Sequence, residues 1–536
     1  MCLLLARMTR KRLDIKRLLT RCQWTHKILF SLGSGPFSTP RRLVILLHNS
    51  TTTLFCLSVA ILTAYTCRRR KPLPPGPPRS FFTGHLREIP RAYPWKTYQQ
   101  WSQKWGNVIF LRLFGRDIVV FNGAQIAEDL LEKRSKIYAD RPTWAMADLI
   151  GRQDNVGFTY YNEKLRTARR LLHSGLGLQT THGIEPGLGA SVEKVAHLFC
   201  FLSEFRSSLI YCRHVASVFV RFTYGSDATE EYVHLAEEIA QHTGLALQPG
   251  WAVDSFPFLT ILPSWLPGMG FKRWAKMARE KFYQCTRVPY LLTRFAVLND
   301  TASPSYVADN LKAIFDGSNP ADENILMASA GSIYGAGTDT TAAFLFSFFL
   351  LMTVHQDVQK RAQDEIMSLL GSSRLPTLED QHRLPYIEAL IREIHRYNPV
   401  VNLVSHSPLV DDEYEGYRIP RKAWVLCNVW SMTHDATLYS DVDMFYPERH
   451  LDFTATDPRR FTFGFGRRAC PGVHFANAHT FLVISRVLAL FRILPPISPD
   501  GTEQVPTVGF TSSFASQPLP FTCRLQVRDQ ELKDVL

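Results

Sequence analysis

The strongest constraint on this chain is a ten-residue segment, Phe463-Gly464-Phe465-Gly466-Arg467-Arg468-Ala469-Cys470-Pro471-Gly472, followed by an apolar stretch, Val473 to Leu494, suited to a buried helix. Two chemistries compete for such a turn. Gly464, Gly466 and Ala469 fit the G-x-G-x-x-A form of a dinucleotide-binding turn, which needs a preceding strand and an acidic residue about twenty positions on. No Asp or Glu occurs from Arg459 to Pro499, so the ribose partner is missing. The other reading centres on Cys470. Pro471 suits the first turn of a helix, which places the sulfur at a helix N-terminus with Arg467 and Arg468 close in sequence. Both influences favour a thiolate, and a thiolate there can ligate a metal centre. The glycines let the backbone approach a flat cofactor closely, and Phe463 is placed to pack against it.

A net charge of +13 over 536 residues looks at first like a nucleic-acid signal. It is confined to residues 1–71, which hold fourteen Lys and Arg against one acid, Asp14; the remainder balances. Net charge therefore gives no support for a phosphate-binding protein. The ten cysteines show no CxxC pair and no regular spacing, which suggests neither a zinc site nor a disulfide framework.

Leu43 to Cys67 carries no Asp, Glu, Lys or Arg and ends in Arg68, Arg69, Arg70 and Lys71. That is about the length of one bilayer-spanning helix, and the basic run on the wrong side argues for an uncleaved anchor over a cleaved signal peptide. The expected organisation is a basic leader over 1–42, a transmembrane anchor over 43–67, a basic and proline-rich hinge over 68–78, and a catalytic domain over 79–536. The prolines at 72, 74, 75, 77 and 78 read as a stiff spacer. Basic residues flank the anchor on both sides, so charge alone does not orient it; the Arg-rich leader also resembles a mitochondrial presequence. Beyond residue 78 the pattern is mainly helical, with strand-like runs at Val108 to Leu113, Asp117 to Phe121 and Trp424 to Val429. The stretch from Asn324 to Val354 holds one acid, Asp339. Its continuous apolar part is too short for a second span and reads as a core helix.

The segment around Cys470 resembles the cysteine-ligand signature FxxGxRxCxG of the cytochrome P450 heme-thiolate monooxygenases at every fixed position, and other family elements follow the expected order across roughly Pro72 to Arg524. The resemblance implies the P450 fold, mainly α with a small β portion, preceded by one N-terminal transmembrane helix. It makes Cys470 the axial ligand of heme iron, whose electron density favours O–O cleavage, and Arg468 the partner of a heme propionate. Phe463 and Gly466 belong to the same cofactor-binding loop. Ala336-Gly337-Thr338-Asp339-Thr340-Thr341 matches the oxygen-activation segment, so Asp339 and Thr340 are expected to relay protons and Gly337 to make room where the helix loosens over the heme. By itself, a Thr on an apolar helix usually bonds back to its own backbone.

Glu393 and Arg396 match the family's ExxR and Arg449 its PER element, a buried triad with a structural role. Arg169 and His406 align with heme-propionate positions, while Leu165 stands where the family usually has a Trp. Substrate contacts are expected in 143–156, 245–258, 332–335, 400–404 and 511–514, including Trp144, Met146, Trp251, Phe256, Leu403 and Phe514. Together these favour an apolar, medium-sized substrate.

The pattern resembles microsomal enzymes of fungal secondary metabolism. That implies heme b, O2 as co-substrate, electrons from NADPH through a separate reductase docking near Arg459, Arg460 and Arg467, and a single-pass endoplasmic reticulum location with the catalytic domain in the cytosol, the mitochondrion being the alternative. The rival functions are a heme-thiolate isomerase or dehydratase and an inactive heme-binding membrane protein.

Overall fold

In a computed structural model, residues 71–177, 208–248, 250–371, 374–452 and 455–528 are described. The expected leader and anchor, and Arg68 to Arg70, lie outside them. A compact unit begins at Pro72 and runs to the C-terminus. This moves the expected boundary at 79, and the reason is physical: the proline run is docked on the fold. The carbonyls of Pro72, Pro75 and Pro77 accept from Arg418 N (2.8 Å), Phe110 N (2.8 Å) and His85 Nε2 (2.9 Å). Prolines cannot donate to a ladder but accept normally, so the run lines strand edges with its carbonyls.

The described helices of ten or more residues are α1 (Pro94–Trp105), α2 (Glu163–Leu176), α3 (Ser208–Tyr224), α4 (Glu230–Leu247), α5 (Gly270–Leu298), α6 (Tyr306–Phe315), α7 (Glu323–Val354), α8 (Gln356–Leu370), α9 (Pro385–Tyr397) and α10 (Val473–Leu490). The strands are β1 (Val108–Leu113), β2 (Arg116–Phe121), β3 (Leu403–His406), β4 (Asp412–Tyr414), β5 (Tyr417–Ile419), β6 (Trp424–Asn428), β7 (Phe491–Leu494) and β8 (Arg524–Val527). The main sheet has the order β1-β2-β6-β3. β1 and β2 form an antiparallel hairpin with Val108 opposite Phe121, β2 runs parallel to β6, and β3 is antiparallel to it. Two two-stranded sheets, β4-β5 and β7-β8, complete the β portion. The three predicted strands are present. The apolar stretch 473–494 divides, because its last four residues pair with β8 instead of extending α10.

Helices α7 and α10 are both apolar enough to cross a membrane, yet 78% of the most apolar stretch of each is buried inside the fold. Phe344, Leu345, Phe348 and Phe349 of α7 and Phe481, Leu482 and Ile484 of α10 belong to one large core cluster. At about 1.5 Å per residue, α7 is a rod of roughly 48 Å on which the other helices assemble. It is hydrophobic all round over its C-terminal half, Thr341 to Thr353, because that half is buried all round.

Candidate heme-thiolate site

The cysteine loop is shaped by its backbone. Cys470 N donates to Phe463 O at 2.8 Å, closing the loop on itself. Gly464 and Gly466 sit at φ 73° and 51°, where side chains are strained. Gly466 has a second reason to be glycine: a Cβ there would lie 2.2 Å from Leu131 O, and its N–H donates to Glu132 Oε1 at 2.7 Å. Its missing side chain is thus accounted for by the π-helical segment Ala127–Lys133. Helix α10 starts at Val473, so Pro471 lies before its first turn and Cys470 one step further out than expected. Burial pushes the Cys470 thiol up, while the Gly472 N–H and the Arg169 guanidinium favour the thiolate. A positive centre bound at the sulfur would offset the cost of burial. Phe463 lies 5.3 Å from the ring of His395, which in turn is 4.3 Å from Phe344 of α7. Burial drives His395 down to about 3, so this ring is a neutral spacer between the cysteine loop and α7.

Beside the loop lies an excess of positive charge, with Arg468 buried and Arg141 and Arg169 half-buried. Arg468 donates to Ala139 O (2.6 Å) and Thr159 O (2.7 Å). Arg169 donates to Ala469 O (2.7 Å), and Arg141 to Gly157 O (2.8 Å) and to Ser405 O. Burial and the neighbouring Arg141 pull Arg468 down to about 8, with Asp140 opposing; Arg141 itself falls to about 10, through burial and the charge of Arg169. His406 is buried, gives Nδ1 to the Tyr138 carbonyl at 2.9 Å, and leaves Nε2 buried without a partner. Three guanidiniums around one carboxylate are costly unless an anion joins them. The carboxylates of heme fit that requirement.

Arg141 was missed by the sequence reading; its signal was the run Asp140-Arg141-Pro142 just before the substrate region. It also bears on Leu165, which is 1% exposed and packed in the core, since Arg141 brings donors that the absent indole does not. An Arg141→Gln variant is expected to lose heme faster than the wild type, on the order of tenfold for about 1.4 kcal/mol of binding, whereas Leu165→Met retains it; transfer of heme to apomyoglobin measures both.

Helix α7 carries the expected oxygen-activation segment. Ala336 is exposed although most of its helix is buried, which marks open space beside it. Thr340 Oγ1 donates to Ala336 O at 2.7 Å, the back-bond expected of a Thr in an apolar helix, on the same open side. Burial pushes Asp339 up to about 7, opposed by the Arg152 cation. The expected loosening at Gly337 is absent: α7 is unbroken from Glu323 to Val354. Gly337 is glycine for packing, because a Cβ there would sit 2.3 Å from the Phe219 ring of α3.

Glu393, Arg396 and Arg449 do meet. Arg396 grips Glu393 with Nε and Nη2 at 2.9 and 2.8 Å, and Arg449 Nε lies 3.2 Å away. His450 Nε2 (3.1 Å) and Tyr446 N (2.9 Å) complete the carboxylate's shell. Burial would raise Glu393, but hydrogen bonds from His450 and Arg396 and the charges of Arg396 and Arg449 hold it below the usual carboxylate range. Arg396 also donates to Val442 O and Met444 O, both at 2.8 Å, so the cluster fixes the 440–449 segment. The start of the cysteine segment is tied to α9 by a separate pair, Arg459 to Glu388 at 3.3 Å, with Asp457 at 2.7 Å. This removes Arg459 from the expected docking face; Arg460 and Arg467 remain exposed.

The substrate-region residues fall into two groups. Trp144 lies near Phe158 (6.4 Å) and Trp424 (5.2 Å), and Phe158 lies 6.5 Å from Phe514. Trp251 instead stacks on Trp274 of α5 at 5.6 Å, while Phe256 is exposed beside Phe114 and Phe258. Met146 is fully buried and Leu403 pairs with Asn428 in the sheet.

Residues 74–523 match the family model described as Cytochrome P450. The chain is 35% identical over 472 residues to Cytochrome P450 monooxygenase 208 of Postia placenta, covering 86% of this chain and 91% of that protein. It is 34% identical to Cytochrome P450 monooxygenase claR of Ampulloclitocybe clavipes (90% and 91% covered) and 34% identical to Cytochrome P450 monooxygenase ppsD of Aspergillus oryzae (90% and 94% covered).

Proposed function

The chain belongs to the cytochrome P450 family, and from that premise we propose that it is a membrane-anchored monooxygenase of fungal secondary metabolism that inserts one oxygen atom from O2 into an apolar small molecule, terpenoid or polyketide-like. Two observations carry this: Cys470 lies beside an arginine cluster, and Asp339 and Thr340 stand next to the open space at Ala336. Heme b, when bound, supplies dioxygen activation, and a thiolate ligand favours O–O cleavage. Cys470 would hold the iron; Arg141, Arg169 and Arg468 would hold the propionates, with His406 beside them, its proton given to the Tyr138 carbonyl. Phe463 would pack on the ring.

Burial raises the Asp339 carboxyl towards neutral pH, which suits it to giving up and regaining a proton there. Thr340 Oγ1 keeps a lone pair free on the open side while its proton is engaged by Ala336 O. An intact acid and alcohol favour oxygen chemistry over isomerisation or dehydration, and Arg141 offsets the reason for suspecting an inactive protein. Electrons would come from NADPH through a separate reductase meeting the exposed Arg460 and Arg467. The anchor expected over 43–67 would hold the enzyme on the endoplasmic reticulum, with the catalytic domain in the cytosol.

Turnover of apolar candidates with NADPH and a fungal reductase tests the reading; product formed without O2, or none with any candidate while heme is fully bound, counts against it. In the same assay Asp339→Asn is expected to slow oxygenation on the order of a hundredfold. Thr340→Ala is expected to divert NADPH electrons to hydrogen peroxide, read as peroxide per NADPH.

A further inference from the structure

Tyr93 stands just before α1 with φ 47° and ψ 50°, in the left-handed region. Bulky residues seldom adopt that conformation, and Pro94 directly after it pushes residue 93 toward an extended backbone. A conformation opposed twice over has to be held by its surroundings, and such outliers gather where function demands them. Tyr93 lies outside every segment expected to touch substrate.

What holds it is a single loop near the C-terminus. Tyr93 N donates to Ser512 Oγ at 2.6 Å and Tyr93 Oη donates to Phe510 O at 2.9 Å. The backbone and the side-chain tip of one residue thus grip the same short stretch.

The loop, 509–519, is a narrow turn in which Leu519 N donates to Gly509 O and Thr511 N to Gln517 O, both at 2.8 Å. Its return limb is rooted in the core. Ser516 N donates to Val400 O at 2.7 Å, and Ser516 Oγ donates to Asn398 Oδ1 at 3.0 Å. Asn398 Nδ2 in turn donates to Ser347 Oγ of α7 at 3.0 Å. The outgoing limb and the tip have no such root. Ser512, Ser513 and Phe514 are exposed, and among the described residues the hydrogen bonds that reach 510–514 from outside the loop are those of Tyr93. Phe514, two residues past Ser512, lies 6.5 Å from the Phe158 ring, which lies 6.4 Å from Trp144. A shift of the tip would move Phe514 against these rings and leave the rooted limb in place.

On the reading of 511–514 as a substrate segment, on which this rests, we propose that Tyr93 is a positioning residue for substrate. It sets where the tip of the 509–519 loop stands, and through the tip where Phe514 meets Phe158 and Trp144. A residue next to α1 thereby governs which apolar molecules fit the pocket.

The test is a spectral titration of the heme-loaded full chain with two azoles that ligate heme iron through nitrogen, bulky apolar clotrimazole and small imidazole. Tyr93→Phe keeps the ring and loses the bond to Phe510 O; Ser512→Ala removes the acceptor of Tyr93 N. The two changes combined should weaken clotrimazole about fivefold to tenfold, because binding must then order the tip, and leave imidazole within about twofold. Phe514→Ala should weaken clotrimazole by a similar factor, and adding the two changes to it should cost nothing more, since they act through Phe514. Clotrimazole affinity held at the wild-type value in the combined variant while Phe514→Ala loses it overturns the proposal. So does equal weakening of both azoles, or full additivity with Phe514→Ala, either of which marks Tyr93 as a general brace of the fold. If Phe514→Ala itself leaves clotrimazole at the wild-type affinity, the reading of 511–514 as a substrate segment fails, and the role of Tyr93 falls with it.

Discussion

Glu393→Gln is expected to destabilise the folded protein by about 3–5 kcal/mol, the cost of removing one partner from a buried charge cluster. The size follows from the surroundings. The Glu393 and Arg396 side chains are 0% exposed and that of Arg449 is 3% exposed, so two guanidiniums would remain inside the protein around a neutral amide. Glutamine fills the same volume and retains one carbonyl oxygen, so the loss would reflect charge and not a cavity. The bonds from Arg396 to the Val442 and Met444 carbonyls would be strained next, loosening the segment before the cysteine loop. Chemical denaturation of the heme-loaded protein measures the loss, and the fraction purified with heme should fall with it. His450→Phe removes only one hydrogen bond from the same carboxylate and should cost about 1 kcal/mol. If Glu393→Gln unfolds at the wild-type denaturant midpoint, the cluster is not what holds this part of the fold.

Cys470→Ser is expected to abolish turnover and the thiolate-type Soret band of the reduced carbon monoxide complex, while leaving the fold in place. The sulfur contributes little to packing: Cys470 is only partly buried, and the loop is closed by its backbone N–H to Phe463 O. A serine keeps that bond but is a far weaker anionic ligand. The Arg141, Arg169, Arg468 and His406 cluster should therefore keep some heme in the variant, in a state without the thiolate spectrum. Absorption spectra and circular dichroism separate the two effects. A variant with the wild-type band would show that another group ligates the iron.

What the sequence disclosed was local. Val108 to Leu113 reads as a strand from its short apolar run of β-branched and aromatic residues, and Glu393 and Arg396 can be placed on one helix face from their spacing alone. What it hid depends on partners far away in the chain. Phe491 to Leu494 continues an apolar run and looks helical until β8, some thirty residues on, is there to pair with it. Arg141 acquires a role only where its side chain and those of Arg169 and Arg468 meet the carbonyls of 139, 157, 159, 405 and 469. The glycines show the same limit in another form. Gly466 and Gly337 were assigned to a cofactor because they stand in motifs, whereas the Leu131 carbonyl and the Phe219 ring already require them to be glycine. Arg459 looked like a surface cation until Asp457 and Glu388 claimed it.

The register of the main sheet carries a further consequence, for synthesis. β2 ends at Phe121 and its parallel neighbour β6 begins at Trp424, so the β1–β2 hairpin leaves the ribosome with one edge open. At roughly 5–20 residues per second, about 15–60 s pass before the strand that covers that edge has been made. Through that interval the hairpin presents Val119 and Phe121, fully buried in the finished fold, to whatever is nearby. Chaperone supply during translation, more than the stability of the completed enzyme, should limit the yield of this protein in a foreign host.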